Sequence, residues 1–127
     1  MQENHLFEYA VIRVVPKVDR EEFLNVGVVL YCAKQKFLRA VFTLDETRLC
    51  AFSGDIDTEE LKAHCIAMEQ VCLGGTGSGP IGKLDIASRF RWLTATRSTV
   101  LQPSKVHPGF CADAAIALER LHALLVL

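Results

Sequence analysis

The chain has 127 residues, of which 50% are hydrophobic and 23% are charged, so it is long enough to bury a core without disulfides or metals. Its 14 lysines and arginines nearly balance its 15 aspartates and glutamates, which argues against nucleic-acid binding through a field of the whole molecule. No segment reaches the roughly 18 apolar residues of a membrane span, and the start lacks a signal peptide, so we expect one cytoplasmic domain over residues 1–127 with no membrane partner.

The first half of the chain is predicted to form strands. Residues 8–15 are rich in β-branched side chains and are stopped by Pro16, which is typical of a strand. Two apolar runs follow at 26–32 and 37–42. A short charged segment separates them, so we predict an antiparallel hairpin although the turn lacks the favoured Asn-Gly pair.

The second half is predicted to be mostly helical. Asp57 with Glu60 three residues later resembles a capping box, and an apolar face follows it at helical spacing. In chain order we predict a short helix at 45–52, a helix at about 58–72, a flexible glycine-rich connector at about 74–83, a short helix at 84–94, a strand at 98–102 and a helix from Asp113 to the end. Strands first and helices later indicate an α+β fold of two layers, a mainly antiparallel sheet with helices packed on one face.

The glycine-rich connector matches the spacing of a phosphate-binding loop, because Gly77 is followed by four residues and then Gly82-Lys83. Leu84, however, stands where that motif needs a hydroxyl for magnesium, and Pro80 removes one of the N–H groups that would cradle phosphate. A helix is also predicted before the loop, where the motif requires a strand. We therefore interpret the segment as a connector.

No other part of the chain is as rich in groups that bind or react as the segment from residue 89 to residue 109. It has three arginines, a lysine, a histidine, several hydroxyls and the only tryptophan, Trp92, which we expect to be mostly buried. Arginine and hydroxyl groups hold carboxylate or phosphate in many proteins. The candidate ligand-binding or partner-binding residues are Arg89, Arg91, Arg97, Ser98, Thr99, Gln102, Ser104 and His107.

Catalytic and metal-binding signals are weak. His107 has a reference pKa suited to proton transfer, but no carboxylate lies close in sequence to orient it, so no catalytic residue is assigned. Cys65 and Cys72 would stand about 10 Å apart on one helix and could not share a tetrahedral ion. We expect no metal and no cofactor, and we interpret the five cysteines as small hydrophobes in a reducing compartment.

Three segments together resemble the bacterial family catalogued as domain of unknown function 3037. They are Tyr9 to Pro16, Glu22 to Leu30, and Arg89 to Gly109, so the resemblance covers nearly the whole chain. Thr96 departs from the pattern, where proline would be expected. The resemblance implies no activity and no catalytic residues. Family members often stand beside a gene for a HipA-like serine/threonine kinase, which implies a protein partner and a toxin–antitoxin-like setting.

We therefore expect a non-catalytic partner-binding protein that acts through residues 89–109, with a HipA-like kinase as the partner. The alternative is an enzyme or a binding module for a phosphorylated small molecule or nucleic acid, in which Arg89, Arg91 and Arg97 clamp phosphate and His107 transfers a proton. Direct nucleic-acid binding is a third and weaker hypothesis, because the net charge is close to zero.

Overall fold

The computed structural model describes residues 4–54, 56–75, 79–95 and 100–127. These residues form five strands and four α-helices, with 3₁₀ turns at Val18–Arg20 and Ile81–Lys83. In chain order the elements are β1 His5–Val14, β2 Leu24–Cys32, β3 Phe37–Phe42, α1 Glu46–Phe52, α2 Thr58–Leu73, α3 Ile86–Leu93, β4 Leu101–Pro103, β5 His107–Cys111 and α4 Ala114–Leu125. The predicted α+β class with a mainly antiparallel sheet is confirmed.

β1 lies at the centre of the sheet. Its one side pairs with β2 along almost its whole length, and β2 pairs in turn with β3. Its other side pairs with two short strands in succession, β5 beside the first half of β1 and β4 beside the second half. All of these pairings are antiparallel, so β2, β4 and β5 each run opposite to β1, and β3 runs opposite to β2.

The two faces of the sheet carry separate cores, because side chains alternate along a strand. On the first face, Ala10 and Ile12 of β1 pack with the buried residues of α1, α2 and α3. On the second face, Phe7 of β1 and Leu30 of β2 pack with α4. The expectation of helices on one face holds for α1, α2 and α3. The last helix covers the opposite face, so the molecule has three layers.

Each α-helix begins at an aspartate. The carboxylates of Asp45, Asp57, Asp85 and Asp113 accept hydrogen bonds from backbone N–H groups in the first turn of α1, α2, α3 and α4. Such caps satisfy donors that have no partner inside the helix, and the negative charge suits the helix N-terminus. The predicted starts of the second and fourth helices are therefore confirmed.

A β-bulge bends the sheet near the start of β2. The register between β1 and β2 shifts between Ile12 and Arg13, which leaves Val26 without a partner in β1. Gly27 follows, and a Cβ at this position would overlap the Phe42 ring and come within 2.9 Å of the Val41 carbonyl oxygen. The absence of a Cβ at Gly27 therefore lets β3 approach closely next to the bulge.

Two elements differ from the prediction. β5 occupies a segment that contains Pro108 and Gly109 and for which no strand is predicted from the sequence. Proline is tolerated there because β5 lies at the edge of the sheet. In α3, Phe90 and Leu93 face the core while Trp92 is 39% exposed, so the expected burial of Trp92 is wrong. Residues two apart on a helix diverge by about 200°, which turns the indole away from Phe90.

Candidate functional site

The outer edge formed by β4 and β5 is the site that holds most of the described candidate residues. Both strands pair with β1, and no further described strand pairs with either of them. We call the exposed side chains of residues 100–111 and their neighbours on β1 the edge surface. Gln102, Ser104 and His107 all lie in this stretch.

Ser104 joins the two edge strands and is 6% exposed. Its backbone N–H donates to the Val11 carbonyl at 2.7 Å, and its Oγ accepts from the Val11 N–H at 2.8 Å. The hydroxyl donates in turn to the carbonyl of Lys105 at 2.9 Å. Ser104 therefore completes the ladder between β1 and the edge, and its hydroxyl is engaged within the fold.

His107 and Gly109 lie against aromatic rings of β1 on the second face. The imidazole of His107 stands 5.4 Å from the Tyr9 ring, centroid to centroid. Gly109 pairs with Phe7, whose ring occupies the space that a Cβ at position 109 would need. Within the described residues, His107 makes no hydrogen bond to a carboxylate or hydroxyl that would orient it as a base.

Apolar side chains are exposed along the same edge. Phe110 of β5 is 68% exposed and pairs with Leu6 of β1, which is 50% exposed. Both side chains project from the first face at the end of β1 that α2 and α3 leave open. Val106 and Val100 add exposed apolar groups farther along the edge. Large neighbouring apolar groups on a surface are typical of a binding site.

An open groove adjoins Phe110 at the start of α4. Its volume is about 710 Å³. The exposed ring of Phe110 and the exposed side chain of Ile116 provide its apolar walls, and His5, Asp113 and Arg120 provide polar ones. The groove extends the edge surface around the end of the sheet.

Arg13 lies on the second face beside the other end of the edge. It pairs with Gln102 on β4 and with Asn25 on β2, so three polar side chains form one row across three strands. The guanidinium carbon of Arg13 stands 4.0 Å from the centre of the Phe23 ring. Its Nε is enclosed and has no hydrogen-bond partner among the described residues.

Arg89 is engaged inside the fold. Its Nη1 donates to the carbonyls of Val71 and Cys72 at 2.9 and 2.7 Å, and its Nε donates to the Leu84 carbonyl at 3.1 Å. The hydrogen bonds to Val71 and Cys72 satisfy carbonyls in the last turn of α2, which have no partner inside the helix. Arg89 thus holds α2 against α3 and has little capacity left for an external anion.

The other predicted arginines are separate from the edge surface or outside the described residues. Arg91 is exposed on α3. It lies near Asp85, whose pKa is lowered chiefly by the hydrogen bond from the Ser88 side chain and also by the charge of Arg91. Arg97, Ser98 and Thr99, like Thr96, lie outside the described residues. The structure therefore brings Gln102, Ser104 and His107 to one edge and leaves Arg89 and Arg91 on a helix.

The connector predicted at about 74–83 has two ordered ends. Gly74 caps α2 with a positive φ of 74°, and the N–H of Gly75 donates to the Gly82 carbonyl at 3.2 Å. The 3₁₀ turn over Ile81–Lys83 follows, while residues 76–78 lie outside the described part of the chain. A phosphate-binding loop follows a strand, whereas this loop follows the helix α2. The structure therefore does not support the phosphate-loop interpretation.

A second polar cluster stabilises the end of α4. The Nε2 of His122 and the Oγ1 of Thr43 are 2.7 Å apart, and Nδ2 of Asn25 donates to the Leu125 carbonyl at 3.1 Å. Nη1 of Arg48 donates to the Val126 carbonyl at 3.1 Å. His122 is buried, and burial lowers its pKa below the ordinary value for histidine. These contacts fasten α4 to the first hairpin and to α1.

Four cysteines are buried and Cys50 is exposed; all five are free thiols. Burial raises the pKa of both Cys65 and Cys72 to about 12, with the charge of Glu69 acting in the same direction. The interpretation of the cysteines as core hydrophobes is confirmed for Cys32, Cys65, Cys72 and Cys111. The described residues contain no group of three or more side chains placed to ligate a metal.

Sequence reasoning missed Arg13, Tyr9, Leu6 and Phe110 as surface groups. The alternation along β1 was a usable signal, since it places Tyr9 and Arg13 on one face. Their neighbours on the edge could not be assigned without β5, which carries two residues that usually interrupt strands.

Comparison with known proteins places the chain in a family without assigning it an activity. A family model described as "Protein of unknown function (DUF3037)" matches residues 9–126. No curated protein matches the chain significantly. No solved structure does so either. In the part of the chain that the structure describes, every helix is too short or too polar to cross a membrane.

Proposed function

We propose that this chain, which belongs to the family described as protein of unknown function (DUF3037), is a non-catalytic protein that binds a protein partner through the edge surface. The observation that carries this proposal is the exposed pair of Leu6 and Phe110 on neighbouring strands. An exposed aromatic side chain on a rigid strand is a common anchor at protein interfaces, because it loses little conformational entropy on binding.

The side chains of the edge support docking more strongly than addition of a partner strand. Pro108 lacks an N–H group, so β5 offers an interrupted set of donors to an incoming strand. The partner is therefore expected to fit around Phe110 and into the groove beside Ile116 through its own side chains.

The charge of the edge favours an acidic partner surface. Lys105 is exposed there, and Arg13 lies in the adjacent row. Glu8, opposite Pro108, points to the first face beside Leu6 and Phe110, so the acidic contacts are expected at Lys105 and Arg13 and not at the Leu6–Phe110 pair. A partner that presents apolar and acidic side chains together would match this arrangement.

The HipA-like kinase implied by the family resemblance is the proposed partner, in a toxin–antitoxin-like arrangement within the cytoplasm. The cytoplasmic setting is proposed from the use of cysteines as small core hydrophobes, since Cys32, Cys65, Cys72 and Cys111 are buried. The engagement of Arg89 within the fold weakens the alternative phosphate clamp, because one of its three arginines is already bonded to helix carbonyls.

Site-specific photo-crosslinking tests the proposed function. A benzophenone amino acid would be placed at Phe110 and, as the matched control, at Leu73, which is also exposed but ends α2. α2 packs on β3, at the opposite edge of the sheet. We expect one cellular protein to cross-link at position 110 and not at position 73. Equal cross-linking at both positions, or none at 110, would contradict the proposal.

A further inference from the structure

Arg13 carries a charge that the described part of the fold does not neutralise. Its guanidinium stacks on Phe23, and none of the ion pairs between described residues includes it. Its Nε is enclosed without a hydrogen-bond partner, and the side chain as a whole is half-buried. An arginine that is partly withdrawn from water is more stable when an anion pairs with it.

The surroundings of Arg13 hold its guanidinium in place. The Phe23 ring lies against one face of the guanidinium, which limits rotation of a side chain that is flexible elsewhere. Gln102 and Asn25 stand on either side of it in register, so Arg13 lies between two neutral polar residues. The Nδ2 of Asn25 already donates to the Leu125 carbonyl, so its amide is itself anchored to the end of α4.

We propose that Arg13 is the receptor for a carboxylate, supplied by an aspartate or glutamate side chain of the protein partner. This inference rests on the proposed function, because it assigns the charged contact of the same interface. The planar guanidinium presents paired N–H donors that match the two oxygens of a carboxylate. Arg13 and the Leu6–Phe110 pair lie at opposite ends of β1 and on opposite faces, so the carboxylate belongs to a part of the partner that meets the edge beside β4.

The test uses two capped pentapeptides with alternating leucines, one with aspartates and the other with asparagines between them. The ¹⁵N-resolved Nε–H signal of Arg13, assigned by its loss in Arg13→Lys, would be followed during each titration. We expect the aspartate peptide to shift this signal to saturation and to bind at least about tenfold more tightly than its asparagine twin. Equal affinity for the two peptides would overturn the inference.

Variants separate this inference from the proposed function. Arg13→Gln is expected to bind the aspartate peptide no better than the asparagine peptide, whereas Arg39→Gln, an exposed arginine of β3, is expected to behave as the parent. Unchanged binding by Arg13→Gln would overturn the inference. Phe110→Ser is expected to bind the aspartate peptide as the parent does, because Phe110 lies at the opposite end of β1, so the peptide titration tests Arg13 alone and cross-linking at position 110 tests the proposed function. Saturation of the Arg13 signal by inorganic phosphate at the same concentrations would also overturn the inference, since the site would then take a free anion.

Discussion

The ring of Phe7 lies over Gly109 on the neighbouring strand and fills the space of the missing side chain. Gly109→Ala should therefore force the buried ring to move and should lower the free energy of unfolding by about 1–3 kcal/mol. Thermal or urea unfolding measures this loss. Gly54→Ala is the matched control, because nothing lies within 4 Å of its added Cβ. Equal stability of the two variants would show that the Phe7 ring adapts without cost.

Ser104→Ala should destabilise the edge from within. The substitution removes the acceptor of the buried Val11 N–H, and an unpaired buried donor costs about 1–3 kcal/mol. Lys105→Ala, at the exposed neighbour, should stay within about 0.5 kcal/mol of the parent in the same unfolding experiment. Faster hydrogen exchange at the Val11 amide in Ser104→Ala would locate the change. A Ser104→Ala variant as stable as Lys105→Ala would remove the structural role of the hydroxyl.

Arg89 and Arg91 are expected to respond differently to truncation. Arg89→Ala removes three hydrogen bonds to backbone carbonyls and should cost about 1.5–3 kcal/mol, with faster exchange in the last turn of α2. Arg91 is exposed, so Arg91→Ala should change stability little. If both variants melt with the parent, the contacts of Arg89 do not hold the helix end.

Stability should depend on pH through His122. Burial lowers its pKa in the folded protein below the reference value of 6.5, so the unfolded chain binds the proton more readily. The stabilisation is complete above the unfolded pKa and decreases as the pH falls below it, because protonation then favours the unfolded chain. Unfolding free energies measured between pH 8 and pH 5.5 test this. His122→Asn should flatten the dependence, and His64→Gln, which removes only an exposed contact with Glu60, should not flatten it. A slope that is the same in His122→Asn and the parent would contradict the assignment.

Much of the fold could be predicted because local signals agreed with it. The aspartates that begin α2 and α4 and the β-branched run of β1 act through neighbours in sequence. The placement of α4 on the second face could not be predicted, since a sequence pattern shows that a helix has an apolar face without showing which side of a sheet it covers.

The candidate site was only partly predictable for a similar reason. Gln102, Ser104 and His107 were selected by residue type, and the structure places them on one edge. Their roles depend on partners far away in sequence, as with Ser104 and Val11. Arg89 met the same criterion of residue type, but its hydrogen bonds to Val71 and Cys72 depend on how α3 meets α2.

The central claim, that the edge surface binds a protein through Phe110, is tested most directly by one affinity measurement. The protein that cross-links at position 110 would be titrated by calorimetry against the parent, Phe110→Ser and Leu73→Ser. Phe110→Ser should bind at least about tenfold more weakly, about 1.4 kcal/mol, while its melting temperature stays near that of the parent because the ring is exposed. Leu73→Ser should bind as the parent does. Unchanged affinity of Phe110→Ser would contradict the account.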